Sequence, residues 1–322
     1  AFIGEALTGI FSRNTNRFVK AISTTDIVSH PLDNLSPEKP TLLISFARSG
    51  NSPESIATVQ LSNKICKRIY HLIITCNPDG ELAHLGNGNN NYIIILPPES
   101  NDKSLAMTGS FTSMLLTGLL IARIQDVKAN ERQISCATGM GIKVLKEYAH
   151  KLRLYSDLGF QRAVFLGSGP LKAVARESHL KLQELTDGNI ISKYDSYLGF
   201  RHGPKVVINK DTLIVFLLTN DPEVFPYEAD LIKSINKTNK GKMTIGVTSN
   251  ASMIKDLGLD LMVDLSSTSI IEEFLSLSFV IPAQLLGFYS SIHHRLKPDN
   301  PSIDGTISRV VQGVHIYPRN FN

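Results

Sequence analysis

Cysteine is scarce here: Cys66, Cys76 and Cys136 are the only three in 322 residues, they form no C-x-x-C pair and no metal-ligand spacing, and an odd count is awkward for a disulfide-stapled secreted protein. A reducing cytoplasm is the expected compartment, and no metal is expected. Charge of one sign is never concentrated: the net +4 is spread along the chain, and only the short cluster Lys64, Lys67 and Arg68 stands out, as a solvated helix face would. With no basic patch and no helix-turn-helix segment, nucleic acid is not an expected partner. The first residues, "AFIGEALTGIF", lack the charged start and cleavage site of a signal peptide. Long apolar runs are missing too. The longest, "FLSLSFVIPAQLLGFYS" (274–290), is interrupted by Pro282 and Gln284 and reads as a buried helix rather than a membrane span. Low-complexity tracts are absent, and 42% hydrophobic with 19% charged residues describes a globular chain with room for two domains.

What is present is an alternation. Short apolar runs ending in Gly, Ser, Thr, Asn or Asp ("TLLISFA", "YHLIITCN", "NYIIILPPES", "RAVFLGSG", "DTLIVFLLTND", "KMTIGVTSN", "LDLMVDLSS") are separated by longer amphipathic segments. Parallel strands buried on both faces, joined by crossover helices, have this pattern, so the expected fold class is α/β. The design also repeats. "PTLLISFARSGNSPESIATVQLSNK" matches "DTLIVFLLTNDPEVFPYEADLIKSINK" in layout, and "YHLIITCNPDGELAHLG" matches "KMTIGVTSNASMIKDLG", each pair about 170 residues apart. Two similar domains in tandem are expected, 1–135 and 136–322. The same offset pairs "AFIGEALTGIF" with "LKAVARESHLKL", which in the second copy follows the strand and turn "RAVFLGSGP"; a first strand and turn of domain 1 are expected to precede Ala1.

Four motifs are candidates for chemistry. In "SFARSGNSPES" (45–55) an apolar strand turns into a helix through Arg48, Ser49, Gly50, Asn51 and Ser52. Unpaired helix N–H groups beside glycine and hydroxyls suit an anion, and the same residues with Pro53 and Glu54 also make an ordinary N-cap. "FLGSGPLKAVA" resembles half of a dinucleotide fingerprint, but the acidic residue due about 20 residues on has only Asp187 as a candidate, in the turn "LTDGN". In "ARESHLKLQEL" Glu177, Lys181 and Glu184 fall at i, i+4 and i+7 on one helix face. An exposed ion-pair ladder is the plain alternative, yet Val174, Leu180, Leu182 and Leu185 surround the helix and leave little solvated face. Finally, His202 in "YLGFRHGP" sits in a loop; alone it means little, and beside buried carboxylates it becomes an acid/base candidate near neutral pH.

Together "SFARSGNSPES", "LPPESNDKSLAMT", "FLGSGPL", "YLGFRHGP" and "DNPS…RVVQGVHIYP" resemble the sugar isomerase (SIS) family across nearly the whole chain, nearest its bacterial D-galactosamine-6-phosphate deaminase group, long called tagatose-6-phosphate ketose/aldose isomerases. The resemblance implies two SIS domains, each a three-layer αβα parallel sheet of flavodoxin or Rossmann type, and no cofactor. It implies a phosphate cradle of Arg48, Ser49, Gly50 and Ser52 with Thr108 and Ser110. Glu184 matches the glutamate that shuttles a proton between C1 and C2 in the isomerase domain of glucosamine-6-phosphate synthase, His202 matches its ring-opening histidine, and Glu177 and Lys181 match polar neighbours. Gln312 stands where that synthase has a lysine, so no Schiff base is expected there. The implied reaction is deaminating aldose–ketose isomerisation of galactosamine 6-phosphate to tagatose 6-phosphate and ammonia in amino-sugar catabolism. A plain tagatose-6-phosphate ketose/aldose isomerase is the nearest alternative, and a non-catalytic phosphosugar sensor is the alternative from another class. A homodimer or larger homo-oligomer is implied, with the 274–290 helix a candidate interface.

Overall fold

Every expected apolar run forms a strand in the computed structural model, which describes residues 1–85, 90–267, 270–311 and 313–319; Gln312 therefore lies outside the described residues. Strands β1 (Thr41–Ala47), β2 (Ile69–Thr75) and β3 (Asn91–Ile95) form a parallel sheet in that order. Strands β4 (Arg162–Leu166), β5 (Ile191–Asp195), β6 (Thr212–Leu217), β7 (Met243–Thr248) and β8 (Leu261–Asp264) form a second parallel sheet ordered β5-β4-β6-β7-β8. The registers begin at Thr41↔Ile69 in the first sheet and Arg162↔Thr212 in the second. Strand β5, "ISKYD", is the one not expected from sequence. It is short and polar, and it lies at a sheet edge with Ile191 exposed, so it lacks the apolar run that marks the others.

The helices, in chain order, are α1 (Phe2–Thr15), α2 (Thr24–Ser29), α3 (Pro31–Asn34), α4 (Pro53–Ile65), α5 (Glu81–His84), α6 (Gly109–Ala122), α7 (Val127–Lys143), α8 (Ala149–Asp157), α9 (Pro170–Leu185), α10 (Tyr197–Phe200), α11 (Phe225–Thr238), α12 (Glu272–Phe279) and α13 (Ile281–His293). They flank both sheets, and side-chain alternation along the strands sorts them. On β4, Ala163 and Phe165 join a core with Leu171, Val174 and Leu182 of α9. Val164 and Leu166 instead join Tyr197 and Phe200 of α10 and Leu231 and Ile232 of α11. Since successive side chains of a strand point to opposite faces, α9 covers one face of the second sheet and α10 and α11 the other.

The core on the α9 face continues through α1 and α6 to Ile74 of β2, so it joins the two sheets. Helices α1 and α9, paired by the sequence repeat, pack against each other, and each also packs against a later helix of its own copy, α6 for α1 and α12 and α13 for α9. Residues 135 and 136, the expected boundary, fall inside α7, which runs through a π-type turn (Val144–Tyr148) into α8. The 274–290 stretch forms α12 and most of α13. Together they are long and apolar enough to cross a membrane, but Phe274, Leu275, Phe279, Val280 and Leu286 are buried in the joint core. Of α12 and α13, Phe288 and Ile292 are the large apolar residues open to solvent.

Candidate active site

The turn after β1 is built by two close glycines. Gly50 adopts φ +69, which an L side chain rarely does, and a Cβ on Gly80 would strike the Ser49 carbonyl. The turn is fixed by Asn77 Nδ2 donating to Ser49 O (2.9 Å), Leu82 N to Gly50 O (3.0 Å) and Glu81 N to Asn51 Oδ1 (2.8 Å). Ser52 precedes Pro53 at the start of α4, but its hydroxyl donates to Glu54 Oε2 (2.7 Å) instead of capping the helix. In the first turn of α4 Pro53 has no N–H and Ser55 N donates to Ser52 O (3.0 Å), so what the turn offers an anion is Glu54 N beside half-buried Ser49 and Ser52.

Arg48, next in the chain before that turn, is turned toward main-chain carbonyls. Its guanidinium, 8% exposed, donates to the carbonyls of Ser104 (3.1 Å), Leu105 (2.9 Å) and Arg309 (2.7 Å). Burial, and then the neighbouring Arg309, draw its pKa below the ordinary value, while Asp102 and Glu184 oppose the shift. Thr108 and Ser110, expected among the phosphate donors, face Asp102. That carboxylate accepts from Thr108 N, Gly109 N and Ser110 N (each 2.9 Å) and from the hydroxyls of Thr108 (2.8 Å) and Ser110 (2.5 Å). Each hydroxyl has one proton to donate, so neither serves a phosphate while Asp102 holds it. Burial pushes the Asp102 carboxyl up, but the bonds from Ser110 and Thr108 outweigh it and hold the group below its ordinary pKa. Asp102 stands six positions ahead of "TGS" and accepts from the first N–H groups at that helix start, a role for which its residue type is the local signal.

The three ionic residues of α9 meet as their spacing requires. Lys181 Nζ lies 2.5 Å from Glu184 Oε2 and 3.3 Å from Glu177 Oε1. Glu177 and Lys181 are buried, which rules out an exposed ladder, while the Glu184 side chain keeps 24% of its surface open. Burial drives the Glu177 carboxyl up against the pull of Lys181. Burial also disfavours the Lys181 charge, but the two carboxylates prevail and hold its pKa above the ordinary value. Lys181 therefore stays a cation between them. The Glu184 charge reaches Arg48, and the C-terminal segment bridges the same two regions: Leu105 N donates to Asp299 O (2.9 Å) and Ile303 N to Asp187 Oδ2 (3.3 Å), three residues past Glu184. The turn after β1, the 101–110 loop, the C-terminal segment and the end of α9 are thus linked to one another.

His202 is elsewhere. It follows α10 in an exposed turn before a short 3-10 helix (Gly203–Val207), on the α11 face of the second sheet, whereas Glu184 rides α9 on the opposite face. Among the described residues no hydrogen bond links its ring to Glu184 or to any other group. No group of three or more His, Cys, Asp or Glu among the described residues is placed to hold a metal ion.

No family model matches the chain. Individual relatives do. D-galactosamine-6-phosphate deaminase AgaS of Shewanella sp. (strain ANA-3) is 40% identical over 322 residues, 99% of this chain and 79% of that protein. The structure of tagatose-6-phosphate ketose/aldose isomerase from Escherichia coli aligns with TM-score 0.86 at 34% identity, covering 99% of this chain and 83% of that one. A Clostridium novyi NT structure, described provisionally as an isomerase of the same kind, aligns with TM-score 0.95 at 40% identity over 99% of this chain and 82% of that one. The chain belongs to the AgaS family of phosphosugar isomerases and deaminases.

Proposed function

We propose that the chain catalyses cofactor-free deaminating isomerisation of D-galactosamine 6-phosphate to tagatose 6-phosphate and ammonia. The observation that carries this reading is Glu184: a partly open carboxylate, fixed at 2.5 Å by a buried lysine, where the phosphate turn and the C-terminal segment converge. The turn of Ser49, Gly50 and Ser52 binds the 6-phosphate, whose binding energy is remote from the reacting carbons and positions them. His202 moves a proton between the ring oxygen and O1 and opens the ring. Glu184 then takes the C2 proton, giving an enolamine, and returns it to C1, leaving an imine at C2. Water adds to that imine, ammonia leaves, and the ketose remains. Lys181 orients Glu184 through their 2.5 Å contact, and Glu177 balances Lys181.

Because Glu184 and His202 lie on opposite faces of one sheet, the acid/base couple is completed between two copies of the chain, and the working form is a homodimer or larger homo-oligomer. The chain is read as two tandem domains, 1–135 and 136–322, which the sequence repeat supports, and as a cytoplasmic protein, which its few, unpaired cysteines support. A plain tagatose-6-phosphate ketose/aldose isomerase is the second reading, favoured by the activity named for the Escherichia coli structure. Ammonia release from galactosamine 6-phosphate decides, with glucosamine 6-phosphate, tagatose 6-phosphate and Glu184→Gln run alongside. Release that disappears in Glu184→Gln supports deamination; ketose–aldose conversion without ammonia replaces it with the isomerase; binding with no turnover leaves a sensor.

A further inference from the structure

The family resemblance implies that Arg48 is a phosphate ligand, and the structure gives its guanidinium three carbonyl partners. Those partners lie in separate parts of the chain: Ser104 and Leu105 in the loop before α6, and Arg309 in the C-terminal segment. The same loop is fastened twice more. Asp102 anchors it to the start of α6 with five bonds. Arg309 grips it from the other side, donating from Nε to Asp102 O (3.0 Å) and from Nη2 to Asn101 Oδ1 (2.7 Å) and Asp102 O (2.6 Å). Two arginines therefore cross-link the loop and the C-terminal segment reciprocally, each through main-chain carbonyls, and Asp299 O closes the link by accepting from Leu105 N.

We infer that Arg48 is a positioning residue, which locks the 299–311 segment over the phosphate turn and so holds that segment against the end of α9. A planar fork with five N–H donors spans three carbonyls on two segments; a lysine ammonium brings the same charge on a single point and does not. Charge and geometry are thereby separable. A residue that bound phosphate by charge would tolerate lysine in part, and a clamp would not. The kinetic half of the inference rests on the proposed function, whereas the structural half does not.

The test is Arg48→Lys in the whole chain, read by amide hydrogen exchange and by steady-state kinetics on galactosamine 6-phosphate. Exchange of the 299–311 amides should quicken by about tenfold or more, as two or three charge-assisted bonds are lost. Exchange of β6 and β7, far from the change, serves as the check on folding and should stay as it was. KM should rise several-fold with kcat altered less. Arg309→Ala keeps the carbonyl that Arg48 grips but removes the three bonds from its own side chain to the loop, so it should quicken exchange of the same segment as well. Unchanged protection of 299–311 in Arg48→Lys overturns the clamp, whether activity falls or holds. Faster exchange with KM untouched overturns the positioning role. If the wild type turns over no phosphosugar, the functional reading fails alone and the exchange comparison still decides the clamp.

Discussion

Glu184 and His202 stand on opposite faces of the five-stranded sheet, Glu184 on α9 and His202 just beyond α10. On the reading that two copies of the chain complete the acid/base couple, each site takes Glu184 from one copy and His202 from the other. Mixing Glu184→Gln with His202→Ala subunits should therefore restore activity that neither has alone. In a randomly mixed dimer about a quarter of the wild-type sites are intact. Activity of the refolded mixture measures this, and a mixture as inactive as its parents returns both residues to one subunit.

Lys181 makes the two carboxylates of α9 compatible, and its removal should separate stability from chemistry. Lys181→Met leaves Glu177 buried without its counter-ion and should cost about 3–5 kcal/mol in denaturant unfolding. Glu184→Gln alters a partly open group, so unfolding should change by less than about 1 kcal/mol, while kcat falls roughly 10²–10⁴-fold with KM nearly unchanged. Equal effects of the two substitutions on unfolding would mean that Glu184 is chiefly structural.

The contrast between α9 and the 101–110 loop shows what a sequence discloses. Glu177, Lys181 and Glu184 lie within two turns of one helix, so their meeting follows from helical geometry, and the apolar residues around them already signal burial. The strand runs were equally local. Arg48 was placed correctly at the end of β1, but its direction is set by carbonyls 56, 57 and 261 positions away, which no local pattern encodes. The resemblance implies Thr108 and Ser110 as phosphate ligands, yet Asp102, six and eight residues earlier, accepts from both hydroxyls. Strand β5 escaped notice because pairing on one edge relieves it of the need for an apolar run.

Asp102 caps α6 and braces the loop that Arg48 and Arg309 hold, so its loss should be felt as instability. Asp102→Ala removes the acceptor for three N–H groups and two hydroxyls and should destabilise the fold by about 1–3 kcal/mol. The folded-state pKa of Asp102 lies below its ordinary value of 3.8, so the stabilisation it gives is present above that value and is lost as pH falls through the lower, folded one. Acid unfolding of wild type and Asp102→Ala should converge at low pH. Curves that stay parallel would show that the carboxylate charge contributes nothing.

Glu228 should make the protein less stable in mild alkali. It lies fully buried on α11, where Oε2 accepts from Thr219 N (2.9 Å) and Oε1 has no hydrogen-bond partner among the described residues. Glu272, bonded to the Thr219 hydroxyl, adds a second carboxylate beside it. Burial chiefly, and Glu272 after it, push the Glu228 pKa from 4.5 to about 8 against the bonds from Ser168 and Thr219. With the folded pKa raised, the folded state binds the extra proton between those values. The stability it contributes is full below about 4.5 and is lost as pH rises through about 8, with a slope of at most about 1.4 kcal/mol per pH unit. Glu228→Gln keeps an uncharged group of the same shape and cannot ionise, so its unfolding free energy should fall less from pH 6 to pH 9, and the difference between the two proteins should grow with pH. The histidines titrate identically in both proteins and cancel from that difference. A difference that stays constant over this range would mean that Glu228 keeps an ordinary pKa, and that the buried oxygen finds its partner in water.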